Sequence, residues 1–109
     1  MIDKSRKTYR TPSDIKIEVI LSDLPAGVTM DDIDFSVKFA TSTKSVTKTK
    51  DALVRLDGAA GGRYIACLKS TELGQGDVIM TVDADIPDDA FEGGFRKDVV
   101  ACDTKATII

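Results

Sequence analysis

Apolar residues recur at every second position through most of this chain, and almost nowhere at helical spacing. Ile15, Ile17, Val19 and Leu21 alternate with Lys16 and Glu18, and Phe35, Val37 and Phe39 alternate with Ser36 and Lys38. Tyr64, Ala66 and Leu68 follow the same rule, then Val78, Met80, Val82, Ala84 and Ile86. A period of two places one face of a strand in a core and the other in water. The pattern therefore predicts an all-β chain, in which no helix exceeds a single turn.

The strands expected from this reading run from about Asp14 to Leu21, Ile33 to Ala40, Ala52 to Leu56, Arg63 to Lys69, Asp77 to Ile86 and Phe95 toward Ile109. The last carries a bulge or bend near Asp103. The segment 41–50 is nearly all Thr, Ser and Lys and offers only Val46 to a core. It reads as a solvated edge strand whose lysines discourage pairing with other sheets. Pro25 and Gly27 punctuate the turn over 22–29, and Asp57-Gly58 opens a hairpin loop that ends at Gly62. About seven strands at short, regular spacing predict an antiparallel β-sandwich of immunoglobulin-like type. Residues 1–13 are polar and basic and read as a flexible N-terminal arm, leaving 14–109 as a single domain.

At 109 residues the chain matches one domain and is long enough to bury a core without metals or disulfides. With 15 basic and 18 acidic residues the net charge is −3, which argues against a nucleic-acid module. No apolar run approaches the roughly 18–20 residues of a membrane-spanning helix. The charged start has no apolar stretch behind it, so a signal peptide is not expected and synthesis in the cytoplasm follows. Cys67 and Cys102 each fall within a predicted strand, and both read as small, reduced core residues.

Few groups here suggest chemistry. Histidine is absent, which removes the usual base for a serine or cysteine nucleophile and a common zinc ligand. Asp83, Asp85, Asp88 and Asp89 cluster within seven positions, with Glu92 just beyond. Asp83 and Asp85 share the outward face of their strand. Such a pair is a candidate for calcium or acid–base work, but it reads first as a solvated face and does not fit the EF-hand spacing. The loop Asp57-Gly-Ala-Ala-Gly-Gly62 precedes a strand rather than a helix, so it lacks the form of a phosphate cradle. Lys44, Lys48 and Lys50 have no interleaved aromatics on which bases would stack. With no Trp, and Tyr and Phe mostly at inward positions, a sugar-stacking surface is the weaker alternative. No residue is assigned a catalytic, cofactor-binding or metal role, and no cofactor is expected.

Residues 58–99 carry a further cadence. Gly62-Arg-Tyr64-x-Ala66-x-Leu68 leads into Thr71-Glu-Leu73-Gly-x-Gly76. Val78-x-Met-x-Val82-x-Ala84-x-Ile86-Pro87-Asp88 follows, and then Phe91-x-x-Gly94-x-Arg96 ahead of Val99. This run resembles the small immunoglobulin-like β-sandwich domains of phage and prophage tail, tail-fibre and baseplate proteins. In such domains a Gly-x-Tyr strand and a later Leu-x-x-Gly turn bracket the core. Gly62-Arg-Tyr64 stands at the first and Leu73-Gly74-Gln-Gly76 at the second. The resemblance implies a non-enzymatic structural or adaptor role through contacts with other particle proteins, often in an oligomer, a homo-oligomer being one form. From the charge and the lack of a long apolar run, no nucleic acid and no membrane is expected as partner. The alternative is a carbohydrate-binding module at a cell surface. The closing Ala-Thr-Ile108-Ile109 is the least defended strand end and marks the expected association surface.

Overall fold

The computed structural model describes residues 6–21, 27–56 and 62–109. Alternation becomes burial residue by residue. Strand β2 (Asp14–Ile20) buries Ile15, Ile17 and Val19 and exposes the four residues between and around them. Strand β3 (Asp34–Ala40) buries Phe35, Val37 and Phe39. Strand β6 (Arg63–Lys69) buries Tyr64, Ala66 and Leu68, and β7 (Gly76–Pro87) buries Val78, Met80, Val82, Ala84 and Ile86. Together with β1 (Lys7–Tyr9), β4 (Ser45–Thr49), β5 (Val54–Arg55) and β8 (Phe95–Ile108) these form two sheets. One has the order β1-β8-β7-β3-β4 and the other β2-β6-β5. The result is an all-β sandwich. A single helical turn, α1 (Ser70–Leu73), joins β6 to β7.

Register decides how the inner faces fill. Across β3 and β7, Phe35 lies opposite Ala84, Val37 opposite Val82, and Phe39 opposite Met80. The Phe35 ring meets Tyr64 of the other sheet edge-to-face, with centroids 5.1 Å apart and planes at 71°. This is the favoured arrangement for two aromatic quadrupoles and fastens one sheet to the other.

Within the smaller sheet, a polar pair extends the β2–β6 ladder one step beyond Asp14 opposite Lys69. Ser13 N–H donates to Ser70 Oγ at 2.9 Å, and Ser70 N–H donates to the Ser13 carbonyl at 2.9 Å. Ser70 is fully buried, so this exchange satisfies groups that would otherwise be costly to bury. At Gly62 the approach is closer still. Leu21 N–H donates to the Gly62 carbonyl at 2.8 Å, and a Cβ on Gly62 would stand 2.3 Å from the Leu21 carbonyl oxygen. Only glycine fits there.

Three expectations change. The arm expected over 1–13 contributes a strand: β1 pairs with β8, Lys7 opposite Ala106 and Tyr9 opposite Ile108, and the pair is parallel in an otherwise antiparallel fold. Arg6 pins it, donating to Thr107 Oγ1 at 3.0 Å and pairing with Asp103 and, at 3.3 Å, Asp77. Second, β1 covers the chain's last residues. Ile108 is buried and Ile109 N–H donates to the Tyr9 carbonyl at 2.9 Å, so this end of β8 is not a free edge. Third, Cys67 and Cys102 are exposed free thiols. Cys67 lies between buried Ala66 and Leu68, so the pleat turns it outward. Cys102 does face inward, opposite Met80, but among the described residues no strand covers it.

The bend expected near Asp103 is present as a break in the β7–β8 register, between Asp77–Thr107 and Ile79–Asp103. Lys105 adopts φ 65° there, and its N–H donates to Asp103 Oδ1 at 2.9 Å. Thr104 Oγ1 donates to the Val78 carbonyl at 2.7 Å and fills the gap the bulge leaves. The loop expected over Asp57 to Gly62 lies, except for Gly62, outside the described residues. Its flanks pair antiparallel, Arg55 opposite Tyr64.

The Tyr64 hydroxyl has no hydrogen-bond partner among the described residues. Burial pushes its phenol above the usual 10.0; Arg55 opposes this and Asp31 adds to it. A raised value means the folded state favours the neutral phenol, so this contribution is whole below about pH 10 and is lost as pH rises through the raised value. Tyr64→Phe is expected to change neutral-pH stability by less than about 1 kcal/mol, because it removes an unpaired hydroxyl and keeps the ring. It should also flatten the alkaline limb of the stability curve. Urea titrations of both proteins between pH 7 and 11 check this, and an unchanged alkaline limb would contradict it.

Candidate functional site

The acidic cluster does not converge. Asp83 and Asp85 stand on the outer face of β7, where Lys97 Nζ lies 3.2 Å from Asp83 and 3.9 Å from Asp85. The hydrogen bond to Asp83, followed by the attraction of both carboxylates, holds the Lys97 ammonium above its usual 10.5. Asp88 turns away into the following loop. It accepts from Ala90 N–H at 3.0 Å and lies 3.4 Å from Arg96, which also lies 3.2 Å from Asp98. Asp89 is exposed. The four carboxylates therefore divide between a strand face, where Asp83 and Asp85 share Lys97, and a loop, where Asp88 meets Arg96. Among the described residues no group of three or more His, Cys, Asp or Glu side chains is placed to hold a metal ion. Register explains what sequence reasoning missed: Lys97 is opposite Asp85 only because β8 pairs with β7 as it does.

The arrangement with more functional content is the open side of the sandwich. Five strands lie over three, so β8 overhangs β2, the outer strand of the smaller sheet. Cross-strand partners share a face, which places Asp98, Val100 and Cys102 on the inner side, beside Ala84, Val82 and Met80. Below them runs a groove of about 330 Å³. Met80, Val82, Ala84 and Ile86 form its floor, and Ile20, Leu21 and Val100 its apolar walls. Val100 is 60% exposed despite its inward parity, and Ile20, on the outward face of β2 at the groove's rim, is 59% exposed. A second hollow continues past Met80 and Cys102 toward Lys16, Glu18 and Lys105, where the lining becomes charged.

Two strand edges flank the groove. Among the described residues β2 pairs only with β6, and from Phe95 to Asp103 β8 pairs only with β7. Near the end of that stretch the Lys105 backbone N–H, and then Arg6, hold the Asp103 carboxyl below its usual value. Asp103 thus stays charged where β1 begins to cover β8. Apolar surface bordered by unpaired backbone donors and acceptors is suited to binding polypeptide.

The aromatics also differ from expectation. Phe35 and Phe39 are inward as expected, but Phe91 and Phe95, around the β7–β8 turn, are about half exposed. No protein-family model, curated protein or solved structure matches this chain.

Both thiols should react in the folded protein. A thiol reagent added without denaturant is expected to modify Cys67 and Cys102 within the time needed for the unfolded chain, to within about tenfold, since thiol reactivity follows exposure. Protection of Cys102 until unfolding would show that the overhang is closed.

Proposed function

We propose that this chain is a non-enzymatic structural or adaptor protein of a phage or prophage particle, of tail, baseplate or fibre type. It is made in the cytoplasm and incorporated into the virion. It works through protein–protein contacts, with other particle proteins and further copies of itself as partners. The observation that carries the role is the open side of the sandwich, an apolar groove between two unpaired strand edges with no convergent catalytic groups among the described residues.

The family part of the reading rests on the cadence of residues 58–99, and strand order supports it. β2, β6 and β5 make one sheet while β3, β7 and β8 lie together in the other. Strands B, E and D and strands C, F and G divide in the same way in an immunoglobulin-like sandwich. The strand β4 added beside β3 matches the extra strand of the variable type.

A second reading, a carbohydrate-binding module at a cell surface, is favoured by one observation. Phe91 and Phe95 present exposed rings of the kind on which sugars stack. Mass spectrometry of purified particles separates the two. The chain is expected among the structural proteins of the particle, with its gene beside capsid or tail genes. A strictly monomeric protein, absent from particles and bound by a glycan array through Phe91 and Phe95, would overturn the particle role.

A further inference from the structure

We infer that the free edge of β8 pairs antiparallel with the same edge of a second copy, about a two-fold axis at Val100. The two five-stranded sheets then form one continuous sheet. This deepens the protein–protein reading above by naming one partner and one surface.

Only part of β8 is available. From Ala106 onward β1 occupies its outer side, and the bulge at Thr104–Lys105 interrupts the strand before that. The stretch Phe95–Asp103 has no neighbour on that side among the described residues. It is also poorly defended. It contains no proline, and its centre is the uncharged run Val99-Val100-Ala101-Cys102. Val99 and Val100 are 59% and 60% exposed. Arg96, Lys97, Asp98 and Asp103 flank that run on either side, whereas the other long edges have no uncharged apolar run of this length. β4 carries Lys48, and β2 alternates its apolar residues with Asp14, Lys16 and Glu18. Charges of that kind discourage edge pairing, whereas β-branched apolar residues favour it.

Symmetry and charge then select the register. A two-fold axis pairing a strand with itself must lie perpendicular to the sheet, so each residue meets one on the same face. An axis at Lys97 or Asp98 sets that charge against itself. An axis at Ala101 sets Lys97 against Lys105 and drives the pairing into the bulge. An axis at Val99 leaves Lys97 opposite Ala101. With the axis at Val100, Val100 meets its own copy and Val99 meets Ala101 on either side. Lys97 of each copy then faces Asp103 of the other, twice.

These charges extend an existing pattern. Asp83 lies beside Lys97 and Arg6 beside Asp103. Across the axis the sequence becomes Asp83, Lys97, then Asp103 and Arg6 of the other copy, alternating in sign throughout. On the inner face, the overhanging Val100 of one copy gains that of the other as a neighbour. The apolar wall of the groove is thereby shared between the two.

Sedimentation equilibrium of the full chain over a concentration series tests this. A monomer–dimer equilibrium is expected. Val100→Lys should weaken it by at least about tenfold while circular dichroism and melting temperature stay near those of the parent, because a like charge then faces itself at an already exposed site. With Cys67 and Cys102 replaced by serine, Val100→Cys should oxidise to a disulfide-linked dimer and Asp98→Cys should not. Only position 100 meets its own copy at bonding distance. A monomer at every concentration, a dimer undiminished by Val100→Lys, or equal cross-linking at 98 and 100 would overturn the interface. The last two leave the particle role standing. Absence from particles would sink that role and leave the dimer result untouched.

Discussion

The contact between Phe35 and Tyr64 is where the two sheets become one structure. Each ring sits on the inward face of its own strand, and each strand is placed by a different ladder: β3 by β7 and β4, β6 by β2 and β5. Neither sheet could bury its apolar face alone, since a sheet with one apolar side needs a second layer. β7 is paired along its length between β3 and β8, and its five buried side chains form the middle of the core. Truncating Phe39 or Leu68 removes volume from that layer, whereas most charged residues lie on faces that water already solvates.

From the mismatch of five strands against three follows an unbalanced feature of the surface. β7 is covered on its inner face, but β8 extends past β2. Side chains with the parity of core residues, Val100 and Cys102, are therefore left in solvent above an apolar groove. Folding of the single chain does not require them to be apolar. The proposed association would give them a use, and among the described residues no strand pairs with the outer side of Phe95–Asp103.

Period-two alternation made β2, β3, β6, β7 and most of β8 legible, because each is half-buried and a half-buried strand must alternate. Cys67 was legible by the same rule, lying between two inward residues, and taking it as core overlooked its parity. Cys102 was not: its parity is inward, and only sheet order shows that among the described residues no strand covers it. β1 carries no alternation in its three residues. Arg6 holds it through contacts with Asp77 and Asp103, far away in sequence. The Ser13–Ser70 pair joins residues 57 positions apart and left no local trace. The candidate site divided in the same way. The carboxylates of β7 could be named from sequence, but their neutralisation by Lys97 depends on register, and the groove depends on which strands form the outer edges.

Hydrogen exchange on the dilute protein, read residue by residue, tests this account most directly. Strands bonded on both sides and covered by a second layer should open only with the whole fold, while a free edge exchanges by local opening. The account predicts the slowest exchange in β7 and β3 and an alternating pattern along Phe95–Asp103. There, amides directed at β7 are protected and amides directed outward exchange at nearly unprotected rates. Uniform protection along Phe95–Asp103 at concentrations where the chain is monomeric would contradict it, because that edge would then already be covered within the single chain.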